Sequence, residues 1–445
     1  MTDRLAQLYP QHLAHMIERA THALARGGFD NLLVAAGAEL YRFLDDNPYP
    51  FQVNPQFKAW LPLTAHPHCW IFFTPGRRPL LVYHQPADYW HRSPSAPHGY
   101  WVEHFDVVVI GAASDARAHL PADLSRVAII GDANSALDGV LPNNPKKVLD
   151  SLHLARTRKT PYEIECLRQA SLRAVRGHRA AAAAFRERGS EHQIHRAFCD
   201  AVAHAESALP YGNIVALNEH GATLHYQHQE RVAPAAHHAL LIDAGAQVCG
   251  YAADITRTYG DGDAEFSALL EAVNQVQMQL VAQVRPGQDY PQLHLEAHRL
   301  LAGVLHAHGL VRMSAESAVE SGLSGVFFPH GLGHFLGLQV HDVAGFQRDE
   351  DGNSIARPAG HPYLRLTRVL EAGNVLTIEP GIYFIDLLLD GWRAGPHARE
   401  VDWARVERLH RYGGIRIEDN VHVTADAPEN LTRDAMRALA HAGVE

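Results

Sequence analysis

The sequence predicts a protein of two domains, in which an α/β domain is followed by a larger domain of helices and strands. The first observation is length, because 445 residues exceed what one hydrophobic core ordinarily supports. The second is that short apolar runs alternate with helical segments over roughly the first third of the chain, as in α/β domains. The third is that the remaining chain begins with long helical segments and later becomes glycine-rich and strand-forming. We place the domains at residues 1–158 and 159–445.

The composition limits the classes of function. Hydrophobic residues make up 47% and charged residues 20%, which is ordinary for a globular protein. A net charge of −10 argues against a nucleic-acid partner, because binding phosphates requires a basic face. The four cysteines are scattered without a CxxC pair, which excludes a disulfide framework or a thiolate zinc site. The sequence has neither a signal-peptide core nor an apolar run of membrane-spanning length, so we expect a cytoplasmic protein.

The N-terminal domain is predicted to begin with a helix over residues 10–26, where apolar side chains recur at helical spacing. Gly27 and Gly28 should end this helix. Short apolar runs then predict strands at Leu32–Ala36, Trp70–Phe73, Leu80–Tyr83, Val107–Ile110 and Val127–Ile130. Two further helices are expected near Asp115–Leu120 and Asn134–Val140. We find no phosphate-binding glycine loop and no nucleophile elbow, and interpret the domain as a scaffold, a lid or a dimerisation domain.

The second domain should follow a crossing at Ser151–Lys159 and begin with two capped helices. Thr160 caps the first helix, a proline follows at its first position, and Glu163 reaches back, which together form a capping box. Ser190 and Gln193 indicate the same arrangement at the second helix. The other predicted elements are strands at Asn213–Leu217 and Thr223–Tyr226 and helices at Ala264–Val284, Gln292–His308 and Leu431–Ala442.

One stretch of the second domain, residues 240–258, carries two aspartates in apolar surroundings. It reads LLIDAGAQVCGYAADITRT, with an apolar run that ends at Asp243, a turn over residues 245–250, and a second strand-like run that carries Asp254. Such a hairpin can bring both carboxylates to one place. Because a buried carboxylate without a partner is costly, the pair predicts a cation, a hydrogen-bond network or a metal beside it.

Three further segments hold acidic residues or histidines among glycines and apolar residues. FFPHGLGHFLGLQVHD contains His330, His334 and His341, VLTIEPGIY contains Glu379, and GGIRIEDN contains Arg416 and Glu418. Each segment alone is a weak signal, since the chain has 32 histidines and most glutamates on strands are solvated or salt-bridged. Two aspartates, one histidine and two glutamates together suit a divalent ion such as Mn²⁺ or Co²⁺. Four carboxylates exceed what one ion requires, so two ions that share bridging carboxylates are the natural interpretation.

These motifs, in the order in which they occur along the chain, resemble those of a known family. IDAG…DITRT, PHGLGHFLGLQVHD, TIEPGIY and GGIRIEDN closely resemble the metal-dependent Xaa-Pro peptidases, the family of creatinase, aminopeptidase P and prolidase. The motifs cover residues 211–420, and the two-domain layout extends the resemblance to the whole chain. It implies an α/β N-terminal domain and an α+β catalytic domain of the creatinase-like "pita-bread" fold.

The resemblance implies a set of five metal ligands. Asp243 would bind one ion with both oxygens, whereas Asp254 and Glu418 would bridge the two ions. His334 and Glu379 would complete the shell of the other ion. The family implies two Mn²⁺ per subunit, with Co²⁺ or another divalent ion as the alternative.

The resemblance also implies roles in catalysis and substrate binding. Glu379 would act as general base and acid, and His341 would steady the substrate carbonyl or the tetrahedral intermediate. Arg416 would bind the free carboxylate of the substrate, for which a guanidinium is well suited. The further positions that match the pocket of the family are Tyr211, His225, His330 and, in the N-terminal domain, Trp90. For His330, support of neighbouring side chains is as compatible with its position as substrate contact.

The implied activity is hydrolysis of Xaa-Pro dipeptides through attack of a water that bridges the two ions. The X–Pro amide has no N–H for an ordinary peptidase to hold, so polarisation of the carbonyl and recognition of the ring by shape would replace that contact. Hydrolysis of organophosphate triesters is expected as a side activity, because a two-metal clamp accommodates a phosphoryl centre. The family further implies a homodimer.

Three alternatives remain open from the sequence. An aminopeptidase P would act on longer Xaa-Pro peptides. A metal-free pita-bread module would bind peptides without cleaving them, but all five ligand positions are occupied by ligand residues here. Creatine hydrolysis uses the same fold without metals, and the complete ligand set argues against it.

Overall fold

The computed structural model of the chain describes residues 2–135, 137 and 139–441. It divides into two compact units. The first unit comprises Met1–Cys166 with Val248–Tyr251 and Gln347–Ser354, and the second comprises the remainder. The predicted boundary between residues 158 and 159 stays a prediction. Among the described helices, none combines the length and the apolar composition that crossing a membrane requires.

The first unit is built on a five-stranded mixed sheet. Its elements are α1 (Thr2–Gly27), β1 (Asn31–Ala35), α2 (Pro55–Lys58), β2 (Trp70–Phe73), β3 (Leu80–His84), β4 (Asp106–Ile110), β5 (Val127–Ile130) and α3 (Lys146–Arg156). The strand order is β4-β3-β2-β1-β5, in which β1 pairs with β5 and β3 with β4 in parallel, whereas the other pairs are antiparallel. Leu33, Val82 and Ile129 from these strands belong to one buried apolar cluster.

All five strands predicted for the N-terminal domain are confirmed, but its helices differ from the prediction. The first helix extends back to Thr2, with Pro10 inside it, and the crossing predicted at Ser151–Lys159 falls largely within α3. The helix expected near Asp115–Leu120 is a 3₁₀ helix over Ala113–His119.

The helix predicted at Asn134–Val140 is wrong. The chain forms a short 3₁₀ turn at Ala133–Ser135, and Leu137 and Val140 pair as an antiparallel bridge. Their backbones exchange two hydrogen bonds of 3.1 and 2.7 Å. Gly139, with φ of +72°, takes the left-handed conformation of a tight turn, which a helix interior does not permit. Residues 136 and 138 lie outside the described part of the chain.

The second unit alternates helices with short strands. Its elements, with the start of α4, Val248 of β8 and Tyr251 of β9 belonging to the first unit, are α4 (Pro161–Arg186), α5 (Glu191–Val202), β6 (Ile214–Leu217), β7 (Ala239–Asp243), β8 (Gln247–Val248), β9 (Tyr251–Ala252), β10 (Thr256–Gly260), α6 (Ala264–Val281), α7 (Tyr290–Ala307), α8 (Ala315–Glu320), α9 (Leu323–Phe327), β11 (Val375–Ile378), β12 (Gly381–Tyr383), α10 (Asp386–Arg393), α11 (Trp403–His410), β13 (Gly414–Arg416), β14 (Asp419–His422), β15 (Glu429–Asn430) and α12 (Leu431–His441).

Short antiparallel sheets carry the acidic motifs of the second unit. The strand orders are β10-β7-β6, β11-β14-β15 and β12-β13, with β8 and β9 as a separate pair. A bridge between Thr256 and Glu418 joins the first of these sheets to the chain between β13 and β14. Apolar side chains of α6 and α7, such as Val273 and Leu301, share one large buried cluster with Ile378 and Ile415 of the strands. The strands that carry the motifs are thus packed on a buried apolar core.

The capped helix starts are confirmed. The Thr160 amide donates to Glu163 Oε2 at 2.8 Å, and the Glu163 amide donates back to Thr160 Oγ1 at 3.4 Å. Ser190 and Gln193 make the equivalent pair of hydrogen bonds at 2.8 and 3.3 Å. In each case one residue satisfies the backbone N–H of the other, which stabilises the first turn.

Two predictions for the second domain are wrong. Thr223–Tyr226 forms a turn rather than a strand, and the Tyr226 hydroxyl donates to buried Glu191 at 2.8 Å, a tertiary contact that propensity does not encode. The glycine-rich stretch also contains the four short helices α8 to α11. Ser314 and Asp402 cap two of these helices. Such residues signal the start of a helix, but the strand prediction did not take them into account.

Asp419 joins the sheet to the closing helix through a buried ionic network. It accepts hydrogen bonds from Arg257 at 2.6 Å, Arg433 at 2.7 Å, Asn430 at 2.7 Å and Gln277 at 2.9 Å. We expect Asp419→Ala to lower the free energy of unfolding by about 3–5 kcal/mol, because two guanidinium groups lose their counter-charge. Urea denaturation at pH 7 measures this change.

A matched control is Asp200→Ala, which removes an exposed carboxylate 3.7 Å from Arg196 and should leave the denaturation midpoint unchanged.

Burial raises the pKa of Asp419, but Arg257 and Arg433 bring it below the ordinary value of 3.8. The stabilisation by Asp419 is therefore present above about pH 4 and is lost as the pH falls further. Equal midpoints for Asp419→Ala and the control would contradict the prediction.

Candidate metal centre

The two aspartates of the 240–258 stretch converge, although only one lies on a strand. Asp243 ends β7 and pairs with Thr256 of the antiparallel β10, whereas Asp254 lies two residues before β10. Between them the backbone passes closely over itself, and a Cβ at Gly245 would lie 2.1 Å from the Ala253 carbonyl oxygen. Only glycine fits there, which explains the IDAG motif.

Tyr211 connects the two carboxylates. Its hydroxyl oxygen lies 2.8 Å from Asp243 Oδ1 and 2.6 Å from Asp254 Oδ1. Since one hydroxyl proton serves one acceptor at a time, the second carboxylate oxygen faces the phenol without a proton between them. The two carboxylates therefore lie close together, and only one of them at a time accepts the proton of Tyr211.

His334, Glu379 and Glu418 come to the same place from other parts of the chain. His334 Nε2 lies 3.3 Å from Asp254 Oδ2 and 3.7 Å from Glu379 Oε1. His334 Nδ1 donates to the Phe335 carbonyl at 2.9 Å, which turns Nε2 toward the carboxylates. One ligand atom each of Asp254, His334 and Glu418 lies within 4.8 Å of the others. The structure thus brings together all five residues that the sequence analysis assigned to the metal.

A hydrogen-bonded shell orients these groups. Thr256 Oγ1 donates to Glu418 Oε2 at 2.6 Å, and Thr377 Oγ1 donates to Glu379 Oε1 at 3.2 Å. Gly333 permits the approach of this shell, since a Cβ there would lie 2.1 Å from the Thr377 carbonyl oxygen. The threonines were not found from the sequence, although Thr256 follows Asp254 at the same-face spacing of a strand.

Arg416 is buried within the centre rather than displayed on its surface. Its Nη2 lies 2.7 Å from Asp243 Oδ2, its Nη1 donates to the Tyr383 hydroxyl at 2.8 Å, and its Nε donates to Thr256 at 3.1 Å. The hydroxyl of Tyr383 contacts His330 Nε2 at 2.8 Å. Since His330 Nδ1 donates to the Gly331 carbonyl, Nε2 accepts from Tyr383. His330 therefore supports this chain of hydrogen bonds.

The buried carboxylates lack enough positive charge around them. Burial, reinforced by neighbouring carboxylates, raises the pKa of Asp243 to about 6, raises that of Glu379 to about 7 and raises that of Glu418 well above its ordinary value. For Asp254, burial raises the pKa, but His334 and Tyr211 bring it below the ordinary value. Four carboxylates thus share one guanidinium and one imidazole. Oxygen donors with one nitrogen and an excess of negative charge fit divalent cations of the Mn²⁺ type.

The centre opens into a pocket of about 650 Å³. The other predicted residues on its wall include His225, His330 and His341. The ring of His341 lies 4.3 Å from that of His334, and burial next to His334 lowers the pKa of His341 to about 4. Burial and Arg416 lower the pKa of His330 to about 3. Both imidazoles are therefore neutral near pH 7.

One predicted residue, Trp90, is not placed at the pocket, and two residues on the pocket wall, Arg357 and Arg365, were not predicted. Trp90 belongs to the first unit and is 76% exposed, so its assigned role at the site stays a prediction. Arg357 and Arg365 line the pocket wall, and Arg365 is exposed. No sequence signal distinguished these arginines, because they lie in a polar segment without strand or helix periodicity.

Comparison with known families matches both parts of the chain. Residues 7–154 match the family described as "Xaa-Pro dipeptidase, N-terminal domain" and residues 165–425 match "Metallopeptidase family M24". The Xaa-Pro dipeptidase of Stenotrophomonas maltophilia (strain K279a) is 56% identical over 97% of this chain and 98% of its own length. That of Xanthomonas campestris pv. campestris (strain B100) is 55% identical over 98% of this chain and 99% of its own.

Solved structures confirm the fold class. Aminopeptidase PepP of Pseudomonas aeruginosa aligns with a TM-score of 0.72 at 22% identity, covering 97% of this chain and 99% of its own. Aminopeptidase P of E. coli with the inhibitor Pro-Leu aligns at 0.71 and 23% identity with the same coverage. Together with the relatives above 50% identity, these matches show an α/β N-terminal domain and a catalytic domain of the pita-bread fold. The chain belongs to the Xaa-Pro dipeptidases of metallopeptidase family M24.

Proposed function

We propose that the protein hydrolyses Xaa-Pro dipeptides with two divalent ions bound at the candidate metal centre. The observation that carries the proposal is the meeting of four buried carboxylates and one imidazole with too little compensating charge. The proposed ligands are Asp243, Asp254, His334, Glu379 and Glu418. Asp254 and Glu418 would be shared between the ions, and we propose Mn²⁺ as the metal, with Co²⁺ as the alternative.

Two bound ions would supply an acidified water and a polarised substrate carbonyl. We assign the movement of the proton to Glu379, as the family resemblance implies. Its Oε1 accepts from Thr377 at 3.2 Å, whereas its Oε2 lies 3.8 Å from His330 Nδ1, beyond hydrogen-bonding distance. Asp243, in contrast, has both oxygens in hydrogen bonds to Tyr211 and Arg416. Glu379 Oε2 therefore takes the proton of the water and delivers it to the proline nitrogen as the amide breaks.

His341 would stabilise the substrate carbonyl. It lines the pocket beside His334 and is neutral near pH 7, so one ring N–H can donate to an oxygen on which negative charge develops. His225 and His330 would form the pocket wall around the proline ring. Because that ring carries no N–H, shape and apolar contact are the available means of recognition.

The free carboxylate of the substrate requires a cation, and the contacts favour Arg365 over Arg416 for this role. Arg416 has all three guanidinium nitrogens engaged with Asp243, Tyr383 and Thr256. Arg365 is exposed on the wall of the same pocket. The assignment of Arg416 from the family resemblance stays a prediction, and the two arginines can be separated by experiment.

We expect Arg365→Gln to lower kcat/KM for Ala-Pro by about 10- to 100-fold through KM, because a charge-assisted contact is lost. With Ala-prolinamide, which lacks the carboxylate, the same variant should match the parent enzyme. Arg416→Gln should impair both substrates, since it disturbs Asp243. If Arg416→Gln instead shows the carboxylate-specific loss, the original assignment of Arg416 is correct.

The proposed function is tested by comparing Ala-Pro with Ala-Pro-Leu on the Mn²⁺-loaded enzyme. We expect kcat/KM to be about 10- to 100-fold higher for the dipeptide, since only it offers a carboxylate directly on proline. Faster cleavage of the tripeptide would identify an aminopeptidase P. No cleavage of either peptide and no bound divalent ion by metal analysis would identify a metal-free binding module.

A side activity toward organophosphate triesters is proposed for the same centre. Two ions that stabilise a tetrahedral carbon can also stabilise a phosphoryl centre during attack by water. We expect the Mn²⁺-loaded enzyme to release p-nitrophenol from paraoxon faster than Glu379→Gln does. Equal rates for the two proteins would remove this proposal without affecting the peptidase assignment.

We also propose that the enzyme is a homodimer in the cytoplasm. Four large apolar side chains of the first unit are between 76% and 92% exposed, namely Phe43, Leu44, Tyr89 and Trp90. Such exposure supports a protein partner, and Trp90 would then act within the dimer. None of the four cysteines, all of which the structure describes, forms a disulfide, which supports a reducing compartment. Light scattering after size exclusion measures the subunit number.

A further inference from the structure

Three histidines outside the carboxylate centre meet at one point. His294 and His298 lie one turn apart on α7, and His361 approaches them from the later segment that precedes β11. The ring centroids are 4.7 Å apart for His294 and His298, 4.7 Å for His294 and His361, and 4.6 Å for His298 and His361. One nitrogen of each ring lies within 4.8 Å of the others. We call this group the histidine triad.

The hydrogen bonds of the histidine triad leave it incompletely satisfied. His298 Nδ1 contacts Ser324 Oγ at 3.0 Å, which orients that ring. His294 Nε2 and His361 Nδ1 lie 2.9 Å apart and share a single proton. Among the described residues, His294 Nδ1 is buried without any hydrogen-bond partner. The two nitrogens that face each other where the three rings meet are His294 Nε2 and His361 Nδ1.

The triad is also in the protonation state that a metal requires. Burial lowers the pKa of His294 to about 2 and that of His298 to about 3, and the neighbouring histidines add to the effect. Burial also lowers the pKa of His361. All three rings are therefore neutral near pH 7, and binding an ion need displace only the shared proton.

We propose that His294, His298 and His361 hold a single borderline divalent cation of the zinc class, separate from the carboxylate centre. Imidazole nitrogens favour Zn²⁺, Cu²⁺ or Ni²⁺ over Mn²⁺, so the two centres differ in the metal they select. Two histidines one helical turn apart with a third from a distant segment is an arrangement that suits three of four tetrahedral positions. The fourth position faces a pocket of about 480 Å³, which leaves room for a water.

The position of the histidine triad indicates a structural role. The same pocket is lined by His330, Pro362 and Tyr363, which also line the substrate pocket. An ion bound by His361 and by the two histidines of α7 would therefore link the segment that contains Pro362 and Tyr363 to that helix. This fixes part of the substrate wall without touching the reacting atoms.

Zinc binding to the full-length enzyme tests the proposal. Wild type, His361→Gln and His306→Gln are freed of metal, restored with MnCl₂ and dialysed against buffered free Zn²⁺, after which bound zinc is counted by mass spectrometry. His306 lies exposed on α7, so its variant controls for the loss of one histidine from the chain. Since the carboxylate centre is common to all three proteins, the difference between them isolates the triad.

We expect wild type and His306→Gln to bind one more zinc per chain than His361→Gln, in which affinity at the triad falls about 100-fold as one of few ligands is lost. The Cu²⁺ form of wild type should show nitrogen hyperfine splitting from several imidazoles, whereas the carboxylate centre offers one. Equal zinc content in wild type and a folded His361→Gln overturns the proposal. If that variant does not fold, a single-nitrogen copper spectrum in wild type overturns it instead.

Discussion

Glu379→Gln is expected to lower kcat for Ala-Pro by at least about 1,000-fold while the protein stays folded. Glutamine cannot accept the proton of the attacking water, and general base catalysis alone accounts for about 10²- to 10⁴-fold in rate. Its amide is also a weaker ligand for a hard ion, which adds to the loss. Steady-state assays at saturating Mn²⁺, with metal content measured on the same samples, separate the two contributions.

The matched control is Glu371→Gln, which makes the same chemical change a few residues earlier in the chain. Glu371 is partly exposed, pairs with buried Arg368 at 2.7 Å and lies outside the centre. Its variant should keep the kcat of the parent enzyme. If Glu379→Gln binds a full complement of Mn²⁺ and retains more than about a tenth of the parent rate, Glu379 is not the base.

The strands of the first unit were predictable because they are short apolar runs bounded by breaks in pattern. Trp70–Phe73 and Val127–Ile130 match the structure residue by residue. The capping boxes at Thr160 and Ser190 were predictable because their hydrogen bonds are local. The strand predicted at Thr223–Tyr226 failed because the Tyr226 side chain bonds to Glu191, a partner far away in the sequence.

The same division between local and distant contacts applies to the candidate site. The metal-ligand positions, such as Asp243 and Glu418, could be named because each sits in a short motif that resembles the family. The partners that orient them could not, because they depend on strand register. Tyr383, for instance, reaches Arg416 through the pairing of β12 with β13, which the sequence does not reveal.

Asp254→Asn is expected to abolish both metal binding and activity, and it gives a test that does not depend on catalysis. Asp254 contacts His334 and Tyr211 at the middle of the centre, where the proposed ions share it. Replacing a shared carboxylate with an amide removes a negative charge from both ions. We expect at least one Mn²⁺ per chain to be lost by metal analysis and kcat to fall by about 1,000-fold or more.

Stability gives a second readout in the metal-free protein. Asp254 repels the neighbouring carboxylate of Glu418. Burial raises the pKa of Asp254 itself, but His334 and Tyr211 bring it below its ordinary value, so folding favours its charged form. The metal-free variant should therefore melt no higher than the metal-free parent, while the rise in Tm on adding Mn²⁺ disappears. Asp261→Asn, an exposed position just after β10, should retain both the rise in Tm and the activity. A variant that loses activity but keeps two ions and the Mn²⁺-dependent rise would show that Asp254 serves catalysis without sharing the metals.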